Sequence, residues 1–345
     1  MIAASIDDVA AAVKVSTATV SRAIRGLPRV NPQTRERVLA AAAELGYVAS
    51  SSASGLATGR TKTLGVLSPY ISRWFFVRTT EGIDEALRDQ GYSLMLINLG
   101  GYRGSRERLF EHTMLRKQID ALVVLCLDLN TSELEHLHRT EIPLMALGGP
   151  VEGVHKVGID DYQAARRAVD HLLELGHREI AILGGDGQDH RDFAVPRLRS
   201  AAYLDALKSA GVPVRPEWQL RGGFTVTGGQ RAASQLFDAA APRPTAIFCA
   251  SDEMALGVIW EARSRGISVP EELSVIGIDD HDFSAAAGLT TIRQDPLAQG
   301  RQAAELLLSH LQDETPLRSI QAPIELVLRS STAKPSSGIS CPAAG

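Results

Sequence analysis

Residues 5–47 read SIDDVAAAVKVSTATVSRAIRGLPRVNPQTRERVLAAAAELGY, and three helix starts stand in this stretch. Ser5 with Asp8 three residues on has capping-box spacing, which opens a first helix through Val9, Ala10 and Val13. Lys14-Val15 breaks it. Ser16 caps a second helix from Thr17 to about Arg25, and Gly26 ends it. Asn31-Pro32 joins a capping side chain to a proline at the first helical position, where the missing N–H costs nothing; a third helix runs from Gln33 to Leu45. Helix, tight turn, helix is a helix-turn-helix layout. On the second helix Val20, Ala23 and Ile24 share one face and can pack on Val9 and Val13, while Thr17, Ala18, Ser21, Arg22 and Arg25 share the other. Short side chains followed by an arginine suit a DNA major groove, where Arg22 could reach guanine O6 and N7 together. Backbone N–H groups at the Ser5, Ser16 and Asn31 starts could hold phosphates. A solvated face with no partner would show the same polarity.

Charge supports a polyanion partner for this head. Residues 1–62 carry eight basic and four acidic groups, net +4, whereas the rest of the chain carries 28 basic and 36 acidic groups, net −8. The whole chain has 345 residues, room for two or three folded units, and its 44% apolar and 22% charged residues exclude wholesale disorder. No run of about 18 apolar residues suggests a transmembrane helix. The opening Met1–Asp8 does not read as a secretory signal, so a cytoplasmic protein is expected. Three cysteines argue against a disulfide framework. Cys126 and Cys249 follow apolar runs and read as buried thiols, Cys341 lies in a polar tail, and no metal or cofactor site is expected.

Beyond the head, residues 48–62 are rich in Ser and Gly with no amphipathic face. From Thr63 short apolar strands alternate with amphipathic helices. The strands are Leu64–Leu67, Ser93–Leu99, Ala121–Leu127, Pro143–Leu147, Val157–Ile159, Glu179–Leu183, Ala246–Cys249 and Leu273–Ile278. The helices are Thr79–Gln90, Ser105–Gln118, Tyr162–Leu175, Arg199–Ala210, Gly228–Ala239 and Glu253–Arg265. This is the α/β pattern of parallel sheets covered on both faces. Roughly 270 residues of it exceed one comfortable core, so two lobes are expected. The domains are therefore read as 1–48 (helix-turn-helix head), 49–61 (hinge or linker), 62–333 (two-lobed body) and 334–345 (disordered tail).

Ligands of open α/β sheets sit beyond the carboxyl ends of strands. There the sequence places Arg73, Trp74, Phe75 and Phe76, then Asp160, Asp186, Arg199, Phe224, Asp252 and Asp279. Aromatic rings, carboxylates and guanidiniums suit a small polar or polyhydroxylated ligand. Asp252 could instead cap the helix that follows it, and Phe75 and Phe76 could be plain core. An enzyme is disfavoured: no GxGxxG follows an early strand, and no GxSxG elbow or Walker A run is present. A transport receptor shares the two-lobe logic, but the missing signal and the basic head argue against it.

Ile6-Asp7-Asp8-Val9-Ala10, Val15-Ser16, Thr19-Val20-Ser21-Arg22 and Thr34-Arg35-Glu36-Arg37-Val38 through Glu44-Leu45-Gly46-Tyr47 resemble the lactose-repressor (LacI/GalR) family of transcription regulators. So do Thr58-Gly59-Arg60, Thr63-Leu64-Gly65, Glu272–Asp280 and Leu289–Ile292, and the likeness reaches about Thr332. The resemblance implies a three-helix head, a hinge and a two-lobed, doubly wound body of the periplasmic-binding-protein type. It implies a repressor, not an enzyme, that binds double-stranded DNA at a pseudo-palindromic operator as a homodimer, under control of a small-molecule effector related to carbohydrates. Thr17, Ala18 and Arg22 would read bases, with Ser16, Ser21, Arg25 and Asn31 beside them, and Leu56 would wedge into the minor groove. Arg73, Phe75, Phe76, Asp160, Arg199, Phe224 and Asp279 would meet the effector. Departures from the family are informative. Lys14 stands where a turn glycine is usual, so the turn either differs or forces a lysine to positive φ at roughly 1–2 kcal/mol. Ala49, Ser50 and Ser54 replace the usual hinge residues and Gly55 follows, which predicts a weak hinge helix. Arg73-Trp74 replaces Asn-Pro, and Gly148 stands where an aspartate is common. Together these favour a more acidic ligand, such as a sugar acid or phosphate.

Overall fold

Three side-chain caps start the helices of the head in this computed structural model, which describes residues 4–24, 26–47, 60–99, 118–185, 195–239 and 242–336. The chain divides into two compact units, Met1–Lys62 and Thr63–Gly345. In the first, α1 (Ile6–Val13) begins with a capping box in which the Asp8 N–H donates to Ser5 Oγ and the Asp8 carboxylate accepts from the Ser5 N–H. At the start of α2 (Thr17–Ile24) the Thr19 N–H donates to Ser16 Oγ at 3.2 Å. At the start of α3 (Pro32–Glu44) the Gln33 N–H donates to Asn31 Oδ1 at 2.9 Å. Val9, Ala10, Val13, Val20, Ala23, Val38 and Ala42 form the core that these helices share. Arg35 and Arg37 tie loops to α3 by donating to the carbonyls of Leu27 and Val13. Lys14 takes the left-handed conformation, φ 56 and ψ 48, and its N–H closes α1. Of the two outcomes the sequence allowed, the strained one holds: the turn keeps its shape without the glycine.

The second unit contains two six-stranded sheets. The first runs β11-β5-β4-β3-β1-β2, with β1 (Thr63–Ser68), β2 (Ser93–Asn98), β3 (Ala121–Leu125), β4 (Leu144–Leu147), β5 (Lys156–Gly158) and β11 (Ile320–Gln321). The second runs β12-β10-β9-β8-β6-β7, with β6 (Ile180–Gly184), β7 (Gln219–Arg221), β8 (Ala246–Cys249), β9 (Ser274–Asp279), β10 (Thr290–Arg293) and β12 (Glu325–Val327). Pairing is parallel throughout the described strands except β10 with β12. The central strands are buried from end to end, so they are apolar on both faces instead of alternating. In edge strand β2, Leu94, Met95 and Ile97 are only half-buried and Leu96 is exposed.

Helices cover both faces of each sheet. In the first lobe α4 (Trp74–Asp89) and α11 (Pro296–Asp313) lie on Leu64, Val66, Val123 and Met145, and α5 (Thr131–Arg139) sets Leu137 on Leu67, Leu122 and Ala146 on the other face. In the second, α6 (Asp161–Glu174) and α7 (Val195–Ser209) cover Ile180, Phe248 and Ile278, opposite α8 (Val226–Asp238) and α9 (Asp252–Ser264), which cover Ala181, Ile247 and Val275. A one-turn helix, α10 (Ser284–Ala287), follows β9. Helices α4 and α11 approach backbone to backbone, because a methyl group at Gly82 would overlap the Leu297 carbonyl and one at Gly300 the Thr79 carbonyl. The chain passes between the sheets three times, at 159–160, 294–295 and 322–324.

Several elements differ from the sequence reading. Helix α4 begins at Trp74, not Thr79, because tertiary packing of Phe76 outweighs the low helix propensity of three successive bulky residues. Helix α7 begins at Val195, so Arg199 lies one turn inside it and not at its start. Helices α5 and α11 and strands β7, β10, β11 and β12 were not anticipated. Arg25, Leu56, Asp186, Cys341, nearly all of the 49–61 hinge and of the Ser105–Gln118 helix, and most of the 334–345 tail lie outside the described residues.

The turn at Lys14 yields a prediction. Glycine there removes an αL penalty of about 1–2 kcal/mol and adds about 0.5–1 kcal/mol of chain entropy. Lys14→Gly should therefore slow hydrogen exchange of α1 and α2 amides in the intact chain roughly two- to fivefold. Unchanged or faster exchange would refute the strain.

Candidate functional site

In the head, Thr17, Ala18 and Arg22 are exposed on α2, and Ser21 is half-buried between them and the core. The Arg22 guanidinium has no hydrogen bond or ion pair to another described residue, whereas Arg35 and Arg37 each donate to a backbone carbonyl. Ser16 and Asn31 are exposed at helix starts, and their side-chain oxygens cap the first turns. The exposed face of α2 thus offers small side chains and one unengaged guanidinium, the arrangement that fits a major groove.

In the body, a cavity opens between the two sheets. Both sheets have the same strand order about their first strand, so each has a switch point, between β1 and β3 and between β6 and β8, and segments after these strands build the walls. Arg73, Phe75 and Phe76 come from the first turn of α4 and the residue before it, and Cys126 and Gly148 follow β3 and β4. From the second lobe come Asp161, Val195, Arg199, Phe224, Ser251, Glu253 and Asp279, with Ile159 and Gln294 on the crossovers. The Phe75 and Phe76 rings meet edge to face at 5.5 Å. The Arg73 guanidinium lies 3.3 Å above the Tyr70 ring.

Arg199 is buried and fully engaged on one side. Its Nε and Nη2 donate to Asp161 Oδ1 at 2.9 and 2.7 Å, and Nη1 donates to the Ala250 carbonyl. Burial alone would disfavour its charge, but Asp161 and Asp279 beside it raise its pKa. Three of its five N–H groups are used in these bonds. Asp279 behaves differently. Burial, with Asp252 nearby, pushes its pKa up to about 8 against the pull of Arg199. Gln294 Nε2 donates to its Oδ1 at 2.7 Å. Its φ of 133 is a conformation that side chains other than glycine rarely adopt, a strain of about 1–3 kcal/mol that the surrounding packing maintains. Glu253 is raised by burial and drawn down by Arg73. Burial pushes the Cys126 thiol up to about 12, so it is an uncharged part of the wall. Among the described residues no group of three or more His, Cys, Asp or Glu could hold a metal ion.

Residues 5–50 match the family described as bacterial regulatory proteins, lacI family, and residues 169–332 match a periplasmic binding protein-like domain. Catabolite control protein A of Priestia megaterium is 35% identical over 334 residues, 95% of this chain and 99% of the relative. The chain belongs to the lacI family of DNA-binding transcription regulators. Among lacI-family structures, a lac repressor dimer bound to operator and the anti-inducer ONPF superposes with a TM-score of 0.81 at 26% identity, over 96% of this chain and 99% of that one. A complex of the regulator CelR with cellobiose superposes with a TM-score of 0.67 at 30% identity, over 95% and 99%. The two-lobed parallel-sheet fold and the helix-turn-helix head are those of this family.

Of the seven residues that the family resemblance placed at the effector, six line the cavity: Arg73, Phe75, Phe76, Arg199, Phe224 and Asp279. Asp160 does not. Its carboxylate accepts from the Gln163 N–H at 3.0 Å and caps α6, while its neighbour Asp161 turns inward to Arg199. Asp252 is neither cap nor wall. Ser251 caps α9, and the buried Asp252 carboxylate accepts from the His281 N–H, Ser284 Oγ and Thr291 Oγ1, tying α9 to β10 and the turn after β9. Phe76 is both core and wall. Sequence reading missed Val195, which lies one helical turn before Arg199 and so shares its face, and Gln294, which follows an unanticipated strand. It also missed Cys126, whose Sγ occupies the space a side chain at Gly148 would need.

A carboxyl group with a raised folded-state pKa stabilises most at low pH, and that stability is lost as pH rises through its folded value. Asp279 therefore lowers stability between about pH 4 and about 8. Asp279→Asn keeps an acceptor for Gln294 and removes the titration. The melting temperature of wild type minus that of the variant should fall steadily from pH 6 to pH 8.5. A flat difference would mean that Asp279 is ionised throughout.

Proposed function

We propose that this protein is a transcriptional repressor that binds a pseudo-palindromic operator as a homodimer and releases or holds it in response to a small polyhydroxylated effector in the interlobe cavity. The carrying observation is the charge balance of that cavity. The Arg199 guanidinium is neutralised by Asp161 at 2.7 Å, with both side chains about 5% exposed or less. Arg73 lies on the Tyr70 ring and draws the pKa of Glu253 down against burial, while burial raises that of Asp279. A buried ion pair, a carboxyl whose charge burial disfavours and three phenyl rings suit a neutral sugar or sugar derivative better than the acid or phosphate that Arg73 and Gly148 suggested from sequence. An anion would need an unpaired cation, and Arg199 is not one. The cellobiose complex of CelR is consistent with such a ligand. Large apolar side chains exposed on the body, Ile71, Val77, Trp260 and Phe283, are consistent with a second copy of the chain as partner.

Base reading is assigned to Thr17, Ala18 and Arg22, and effector recognition to Arg199, Asp279, Phe75 and Phe224. Selection of binding duplexes from a random library with the full chain should return a pseudo-palindrome. Arg22→Ala should then weaken binding by about 1–3 kcal/mol per half-site and relax preference at one base pair. Equal affinity of the variant would remove Arg22 from the interface. In a thermal-shift screen, a neutral sugar at 100 times its Kd should stabilise the body by about 2.7 kcal/mol. Stabilisation by sugar phosphates or sugar acids alone would overturn the neutral assignment. Arg199→Ala should abolish the response to the identified sugar.

A further inference from the structure

Trp74 opens α4 in the first lobe, and the residues it meets belong to the second. Its indole Nε1–H donates to Asp282 Oδ2 at 2.9 Å. Its ring lies against His281, with centroids 5.0 Å apart, and His281 lies against Phe283 at 5.4 Å. These partners sit on the turn after β9, where His281 is half-buried and Asp282 and Phe283 are exposed. Two further contacts lie close by. The residue before α4, Arg73, supplies no side-chain cap, and Glu253 from the second lobe stands near enough that Arg73 and the Trp74 backbone N–H both pull its pKa down against burial. Val195, at the start of α7 in the second lobe, packs into the core cluster of the first.

From these contacts we infer that Trp74, His281 and Asp282 form a latch across the mouth of the cleft, which sets the balance between open and closed lobes. The lobes are joined by three crossovers, and both halves of the latch follow the carboxyl ends of strands, β1 and β9, on the cleft side. Rotation about the crossovers separates those strand ends, so opening must break the indole hydrogen bond and unstack the rings. Trp74, His281 and Asp282 are not part of the cavity wall. The latch therefore acts on closure and not on the ligand. A proline at position 74, usual in the family this head resembles, could supply neither the donor nor the ring. Where the closed form is the binding-competent one, the apparent Kd is the intrinsic Kd divided by the closed fraction, so a weaker latch lowers effector affinity without loss of a ligand contact. That consequence rests on the cavity being the effector site; the latch itself does not.

The test measures closure directly in the full chain. Spin labels at Asp89→Cys on α4 and Arg231→Cys on α8, in a Cys341→Ser background, report the distance between lobes by pulsed electron resonance. Trp74→Ala and Asp282→Ala should each raise the open-to-closed ratio, roughly three- to tenfold for loss of one charge-assisted hydrogen bond or one ring pair. Trp74→Phe keeps a ring without the donor and should fall between wild type and Trp74→Ala. Combining Asp282→Ala with Trp74→Phe should add nothing to either alone, because both remove the same bond. Asp282 is exposed, so its variant folds as wild type does and decides the matter even if Trp74→Ala is unstable. An unchanged distance distribution in Asp282→Ala, or fully additive effects in the double variant, would overturn the latch. If closure shifts as expected while no sugar stabilises the protein, the effector reading fails and the latch stands.

Discussion

The buried pair between Arg199 and Asp161 is the interaction on which the body is organised. A guanidinium removed from water is tolerated only when it is paired and hydrogen-bonded. Here the pair joins the second turn of α7 to the first residue of α6, and the third bond reaches the carbonyl of Ala250 just after β8. Those three segments meet where the first crossover enters the second lobe. Its neighbour Asp279 also feels the guanidinium, but burial outweighs that pull and raises the Asp279 pKa. Two carboxyl groups around one cation thus adopt different roles because one is bonded to it and the other is only near it.

Head and body solve different problems with different means. The head is small, and its helices are defined largely by local chemistry: three caps, a proline at N1 and a core of valines and alanines. It tolerates a lysine in a left-handed turn because the bonds that close α1 hold the shape. The body is defined by long-range pairing. Each lobe repeats one doubly wound order, and the carboxyl ends of both first strands face the same cleft. Strain and paired charge gather there, while the central strands β3, β4, β6 and β8 carry apolar packing.

The helix-turn-helix, the alternation of strands and helices and six residues of the cavity wall were legible in the sequence. Caps announce helix starts within four residues, and apolar runs bounded by turns announce buried strands. The short edge strands β7, β11 and β12 are two or three residues long and carry no such signal. Helix α11 has a pattern that a reader can find, but its closeness to α4 depends on Gly82 and Gly300, which are more than two hundred residues apart.

Sequence alone determined the order of elements, the exposed face of α2 and the residue types that strand ends would present, because these follow from local periodicity and capping. Tertiary structure decided which carboxylate meets Arg199. Asp160 and Asp161 are adjacent and chemically identical; one caps a helix and the other pairs with a cation 38 residues further along the chain. It likewise decided that burial raises the pKa of Asp279, that Asp252 braces a turn and that Trp74 reaches the opposite lobe. Each outcome depends on burial and on partners brought from distant segments, and neither quantity is encoded within a local window of sequence.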